Sequence, residues 1–349
     1  MSEDFHGLPD LANRALGGTV VVANDEFFGG AENLISPGLV RHDPNAFGSR
    51  GKLYDGWETR RRRDRGRSGA EPADWAVIRL GMPGIVRGVI VDTSFFTGNY
   101  PPYVSVQGAT VLGYPTADEL VAADWTPLLA RSGLRGDSKN SFPIFAADRW
   151  TTHVRLTIHP DGGVARFRVH GETIADPRFL GGRIDLAAVV NGGRITGCSN
   201  SFYASPSNVL GPGRAMMMSD GWENARRRDD GNDWITVSLV GPGVLHHAVI
   251  DTSRFIGNAP GWARLSDAVS GFELLPHTRL VPDTEQLFRL LESWPVGEVR
   301  LDVYPDGGIS RLRLYGELTS QGRAEVGKRW IGLLPPTLGA TIDTSRLFD

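Results

Sequence analysis

Two stretches of the chain set carboxylates and guanidinium groups side by side in the same order. The first is DGWETRRRRD, Asp55–Asp64, and the second is DGWENARRRDD, Asp220–Asp230. Eight of the first ten positions are identical. Asp55 and Glu58 supply groups that can move a proton. Arg61, Arg62 and Arg63 supply planar forks that match a carboxylate. Their counterparts are Asp220, Glu223, Arg226, Arg227 and Arg228. Arg60 is matched only by Ala225 and is the member least expected to take part. Four consecutive arginines also fit a nucleic-acid face, but Asp55, Glu58 and Asp64 nearly cancel them, and the whole chain carries a net charge of -3. No nucleic-acid partner is therefore expected. The plain alternative is a solvated turn with ion pairs. The retention of both acids and three arginines in two diverged copies weighs against it for the run as a whole.

A second pair of stretches adds chemistry of the same kind. IVDTSFFTGN (90–99) matches VIDTSRFIGN (249–258), six of ten positions being identical. Asp92 and Asp251 end apolar runs and are placed either for proton transfer or, equally, to cap a turn. Asn99 and Asn258 offer amide groups to a polar ligand. His159, in HPDGG, is a further acid/base candidate, although Tyr304 stands at its counterpart. Metal chemistry finds little support: His246 and His247 are adjacent and no His-x-His or His-x-x-x-His spacing occurs. An oxygen-rich Asp/Glu site for a divalent ion is the one metal reading left open.

The elements that must position these residues are written twice. DLANRALGG (10–18) matches DLAAVVNGG (185–193), and NDEFFGGAENL (24–34) matches SNSFYASPSNV (199–209), both at an offset of 175. The offset falls to 165 at the arginine run, to 159 at Asp74–Trp75 and at the DTS motif, and to 145 at RLTIHPDGGVARFRVHGE (155–172). The first copy thus carries three insertions, of ten, six and fourteen residues, around RHDPNAFGSRG, around GRSGAEPA and between Asn99 and Arg155. A unit of this length is a duplicated domain. The expected division is 1–172 for the first repeat, 173–184 for a linker, 185–317 for the second repeat and 318–349 for a tail.

Within each copy, WAVIRLG (75–81) and WITVSLV (234–240) alternate apolar and polar residues. GVIVDTS and HAVIDTS are short β-branched runs, and two alternating runs around PDGG read as a hairpin in both copies. The sequence therefore predicts an all-β chain of two tandem antiparallel sandwiches. Helical patches are few, the best being TADELVAADW (116–125) and DTEQLFRLLESW (283–294), at comparable places in the copies. Trp57 and Trp222 are the natural anchors of the charged loops to the core.

The bulk composition sets outer bounds. The chain has 349 residues, 40% hydrophobic and 22% charged, with 44 glycines, 22 prolines and one cysteine. Cys198 can form no intrachain disulfide, and a reducing, cytoplasmic setting is expected. No apolar run is long enough to span a membrane, and the N-terminal residues lack the features of a signal peptide.

Taken together, DGWETRRRR, DGWENARRR, IVDTSFFTGNYPP, VIDTSRFIGNAPG and the doubled PDGG…RVHGE/RLYGE resemble the allantoicase (allantoate amidinohydrolase) family over roughly residues 10–318. The resemblance implies two jelly-roll (galactose-binding-like) domains in a homo-oligomer, a trimer or hexamer. It also implies hydrolysis of allantoate to ureidoglycolate and urea, in the breakdown of allantoin derived from purines. Such a reaction needs a cation for the substrate carboxylate, amide groups for its ureido arms, and an acid and a base. The residues proposed for these tasks are an arginine from 61–63, Asn99, and Glu58 and Asp92, with Asp55 close by and His159 as a substitute. The insertions make the first copy the expected host; a site between copies or subunits is the alternative. Jelly rolls also serve as non-catalytic carbohydrate-binding modules, and fold alone does not decide between the two.

Overall fold

The computed structural model describes residues 5–63, 72–292 and 294–343. The chain divides between Ile174 and Ala175 into two units, with Leu333–Pro335 grouped with the first. Each unit is a β-sandwich. The first is built on strands β1 (Thr19–Ala23), β2 (Asp74–Asp92), β3 (Tyr103–Ala109), β4 (Thr126–Gly133), β5 (Lys139–Pro143), β6 (Thr151–His159) and β7 (Arg166–Thr173). The second repeats the series as β8 (Arg194–Cys198), β9 (Asp233–Asp251), β10 (Trp262–Asp267), β11 (Glu273–Arg279), β12 (Glu285–Arg289), β13 (Val296–Tyr304) and β14 (Arg311–Leu318).

One 19-residue strand holds each sandwich together. The first half of β2 pairs with β1 and β6, and β6 continues to β3 and β4. Its second half pairs with β7 and β5. Strand β9 does the same with β8 and β13, and then with β14 and β12. The sequence reads WAVIRLG and GVIVDTS as separate runs because Met82-Pro83-Gly84 interrupts the alternation. The structure carries the strand through. Pro83 falls where the pairing with β6 shifts between Arg79 and Gly84, and Pro242 falls in the matching gap between Ser238 and Gly243. A residue without an N–H is tolerated at such a break in the ladder.

Two sequence expectations are corrected here. The runs flanking PDGG do not form a hairpin with each other. Strand β6 pairs with the first half of β2 and β7 with its second half, so PDGG carries the chain from one sheet to the other. Alternation is identical for both outcomes; the non-local choice of partner decides. The described residues of the segment 283–294 are not helical either. Glu285–Arg289 lies along His247–Asp251 as strand β12, so edge pairing overrides a helix-like spacing of Leu287, Phe288, Leu290 and Leu291. The other expected helix is present as α1 (Ala117–Val121), with a Thr116/Glu119 capping box. It lies between β3 and β4, whereas β12 follows β11, so the two segments do not occupy comparable places.

Inward-facing side chains of the long strands and their partners form each core: Val77, Val89, Val91, Leu156, Ile158, Phe167 and Val169 in the first unit, and Val237, Ile250, Leu301, Val303, Leu312 and Leu314 in the second, are buried. Each such side chain contributes roughly 1.5–3 kcal/mol. After β14 a helix, α2 (Ser320–Leu333), packs on the bend of β9, where a Cβ on Gly322 would lie 2.2 Å from the Pro242 carbonyl oxygen.

Candidate active site

Trp57 and Trp222 fix the charged loops. Both are fully buried, and each indole Nε1 donates 2.8 Å to a carbonyl, of Asp25 and of Asn200 respectively. Loss of either ring would cost roughly 3–5 kcal/mol. The PDGG crossing closes over the next residues. Gly163–Val164 pairs with Trp57–Glu58, and Gly163 N donates 2.7 Å to the Asn99 carbonyl. In the second unit Gly308 N donates 2.8 Å to the Asn258 carbonyl. A Cβ on Gly163 or Gly308 would lie about 2 Å from the buried ring of Phe96 or Phe255, so only glycine fits.

This frame brings the acid of DGWE against the amide of the DTS loop. Asn99 Nδ2 donates to Glu58 Oε1 at 2.8 Å, and Asn258 Nδ2 donates to Glu223 Oε1 at 2.7 Å. The second carboxylate oxygen of each glutamate has no protein partner among the described residues. Burial pushes the Glu58 carboxyl above the usual glutamate range, and the Asn99 amide partly offsets that. An acid held this way keeps its proton to higher pH than a solvated one.

The arginines divide by task. Arg62 donates its backbone N–H to Asp161 Oδ2 at 2.7 Å and, through Nε and Nη2, clasps the buried Asp74 Oδ1 at 3.0 and 2.6 Å. Arg227 repeats both links, to Asp306 and to the buried Asp233. Arg60 pairs with Asp25 at 2.6 Å. Arg61, Arg63 and Arg226 are exposed and have no hydrogen-bond or ion-pair partner among the described residues. Asp64 and most of the GRSGAEPA insertion lie outside the described residues.

Asp55 faces away from this pair into a structural ion pair. Its Oδ2 accepts from Arg166 Nη2 at 2.7 Å and from Arg41 N at 2.8 Å. Burial acts to raise its carboxyl, but those donors outweigh it and hold the group below the usual aspartate range. Asp220 accepts from the N–H groups of Met216 and Met217, and its carbonyl accepts from Arg311 Nη1 at 2.6 Å. Asp92 and Asp251 are buried at the ends of β2 and β9, where each accepts from the N–H two residues on, at 2.8 Å. That is an aspartate-capped turn. His159 Nε2 lies 3.0 Å from Ser105 Oγ and lines a cavity of about 520 Å³ with Trp75, Gln107, Arg155 and Thr157, none of them from the charged loop. Of the acid/base candidates, Glu58 is therefore the one placed against Asn99.

Several neighbours carry no obvious sequence signature of their role. Phe28 N and Gly29 N both donate to the Glu58 carbonyl, and Tyr203 N donates to that of Glu223. Edge-to-face aromatic pairs, Phe27–Phe28 and Phe202–Tyr203, thus sit beside each acid. The first insertion packs on Phe27. It forms a small hairpin (Phe47–Gly48 with Gly51–Lys52), places the Arg50 guanidinium 4.5 Å from the Phe27 ring, and sends Arg50 Nη1 to the Phe27 carbonyl at 2.7 Å. His42 stacks on Phe95 and Tyr54 on Phe96. Phe95 is held at φ 67° and its counterpart Arg254 at φ 73°, each tied by its N–H to an aspartate, Asp137 or Asp283. Left-handed backbone at a non-glycine residue in both copies is costly and marks these loops as fixed in shape. Matched aromatic pairs and the paired DTS loops were the available signals for this rim.

The matches with known proteins cover this whole arrangement. The family model described as the allantoicase repeat matches residues 9–174 and again 184–319. The chain belongs to the allantoicase family. A probable allantoicase of Nocardia farcinica is 54% identical over 320 residues, covering 90% of this chain and 95% of that protein. One of Streptomyces avermitilis is 49% identical, covering 93% and 90%. The crystal structure of allantoicase from Saccharomyces cerevisiae superimposes with a TM-score of 0.74 at 32% identity, over 88% of this chain and 92% of that one. Both allantoicase repeats therefore include a Glu–Asn pair, Glu58–Asn99 in the first and Glu223–Asn258 in the second. Among the described residues no three His, Cys, Asp or Glu side chains come together as a metal site, and no helix is long and apolar enough to cross a membrane.

Proposed function

We propose that the protein hydrolyses allantoate to ureidoglycolate and urea, and that the chemistry occurs at Glu58 and Asn99 in the first repeat. Membership of the allantoicase family supports this reading over a non-catalytic sugar-binding module. The observation that carries the placement is the half-buried Glu58 carboxyl, raised by burial, hydrogen-bonded to Asn99 and beside Phe27, on whose ring an insertion peculiar to the first repeat packs.

The central carbon of allantoate bears a carboxylate, a hydrogen and two ureido groups. Protonated Glu58 delivers its proton to the nitrogen of one ureido group as the bond from that nitrogen to the central carbon breaks. Urea leaves with the bonding pair. The nitrogen of the remaining ureido group supplies its lone pair, giving a carbon–nitrogen double bond. Water adds to the central carbon and returns a proton to the Glu58 carboxylate, which restores the acid. No carbonyl is attacked, so no oxyanion hole is needed. Arg61, exposed and unengaged, holds the substrate carboxylate as a guanidinium fork. Asn99 holds a ureido arm through its carbonyl and its remaining amide hydrogen, and fixes Glu58 Oε1 as an acceptor. Asp55, Asp92 and His159 are assigned supporting roles outside the reacting atoms, and Arg62 is a fastening for the loop.

The test is a urea assay. Purified protein given allantoate should release urea and ureidoglycolate in equal amounts, and Glu58→Gln, with its fold intact, should lose at least about a hundredfold in kcat. Near-wild-type turnover in that variant would overturn the assignment. Dialysis against chelator before the same assay reads any need for a divalent ion. The family likeness also supports a homo-oligomer, trimer or hexamer, which sedimentation reads directly, and the single cysteine accords with a cytoplasmic setting.

A further inference from the structure

We infer that the second repeat carries a second binding site, for a small molecule bearing a ureido group and a carboxylate, seated on Glu223 and Asn258. This inference rests on the reading of the first site as a ureide site. Four observations support it. Asn258 Nδ2 meets Glu223 Oε1 at 2.7 Å, as Asn99 meets Glu58. The loop is pinned by the same Asp306–Arg227 backbone link and the same Gly308–Asn258 bond. The other Glu223 oxygen has no partner among the described residues, so an acceptor remains for the N–H groups of a ureido arm. Arg226, exposed and equally without a partner, stands where Arg61 does.

The rim gives the second site its own character. Where the first repeat has Phe95, the second has Arg254, whose Nε reaches the Ala215 carbonyl at 3.5 Å. Met218 Sδ lies 3.7 Å from Asn258 Nδ2, so this residue borders the Glu–Asn pair directly. Phe202 and Tyr203 are 69% and 65% exposed, against 39% and 37% for Phe27 and Phe28. The second site is thus open, with a cation added at its edge, and suits binding of a planar ureido group against aromatic faces more than exclusion of water during reaction.

The probe is hydantoate, which has one carboxylate and one ureido group and lacks the second ureido nitrogen that would expel urea. Calorimetric titration of the intact protein should give two hydantoates per chain. Asn258→Ala, and the shape-conserving Glu223→Gln, should each weaken the second equivalent at least tenfold and leave one tight equivalent. A wild-type stoichiometry of one or none overturns the second site, as do two equivalents that neither variant alters. The urea assay separates this from the reading beneath it. Urea release with a single hydantoate equivalent rejects only the second site, whereas two equivalents without urea release reject the assigned reaction and keep the binding site.

Discussion

In the first repeat the Arg41–Tyr54 segment packs Arg50 on the Phe27 ring, and Phe27 and Phe28 are 39% and 37% exposed, while the second repeat leaves Phe202, Tyr203 and Met216 69%, 65% and 74% exposed. The strands beneath are the same, and so are the buried tryptophan, the PDGG crossing and the glutamate–asparagine bond. The difference lies in what packs on the aromatic pair beside the acid. A carboxyl that must act as a proton donor benefits from removal of water, because desolvation disfavours its charged form. A site that only binds has no such need. Duplication therefore supplied two copies of one frame, and the ten-residue insertion added a segment that packs on the Phe27 face of one of them.

The comparison can be broken at several points. The largest effect is expected where both repeats use an arginine as a fastening. Arg62→Ala leaves the buried Asp74 short of its main partner and should cost about 3 kcal/mol in unfolding free energy, and Arg227→Ala should act similarly through Asp233. Denaturant titration reads both. Variants as stable as the wild type would mean that these arginines are free for substrate after all. Next, shortening the 41–51 stretch by ten residues, to the length of the second repeat, should lower kcat/KM for allantoate about a hundredfold, since it removes the packed segment and loosens the Phe27 face. Undiminished activity would show that this segment does not distinguish the two repeats.

A smaller change is expected at Arg61. Arg61→Ala should raise KM roughly tenfold, as expected for loss of one charge-assisted fork, with stability moved by less than about 0.5 kcal/mol. The opposite pattern, lost stability and unaltered KM, would assign it to the fold. The smallest effect is in the pH profile. In the proposed reaction the working acid is the protonated Glu58, so activity should hold below its pKa and decline as pH rises through it. That limb should lie above the ordinary glutamate value, because burial raises the group. Asn99 stabilises the carboxylate, so Asn99→Ala raises the pKa further and moves the limb to higher pH, by under about one pH unit. A limb that moves down, or not at all, would argue that Asn99 does not touch the reacting acid.

Much of this was legible in the chain itself, for a physical reason. A duplicated unit is an internal comparison: Glu58 with Glu223 and Asn99 with Asn258 survive in both copies, and the two loops carrying them meet in the structure. The sandwich class followed from period-two runs bounded by glycine and proline. What could not be read was partner choice. Arg61, Arg62 and Arg63 are equivalent as letters, and only the approach of Asp74 and Asp161 turns Arg62 into a clamp. Asp92 satisfies both a catalytic and a turn-capping pattern, and its Oδ1 accepts from the Ser94 N–H. The PDGG runs look like a hairpin because local alternation does not record which half of β2 each strand joins. Segment 283–294 has the spacing of a helix, yet Glu285–Arg289 pairs along β9, where the ladder is the stronger claim. The role of Arg50 was hidden too, since nothing local in RHDPNAFGSRG announces that its arginine will rest on Phe27.

The central claim is that one of two matching glutamates is the proton donor. It is tested most directly by measuring urea release from allantoate, side by side, in Glu58→Gln and Glu223→Gln, with folding checked by thermal unfolding. The account predicts a fall of at least about a hundredfold in kcat for Glu58→Gln and a fall of under about tenfold for Glu223→Gln. Equal losses in both, or the larger loss in Glu223→Gln, would contradict it.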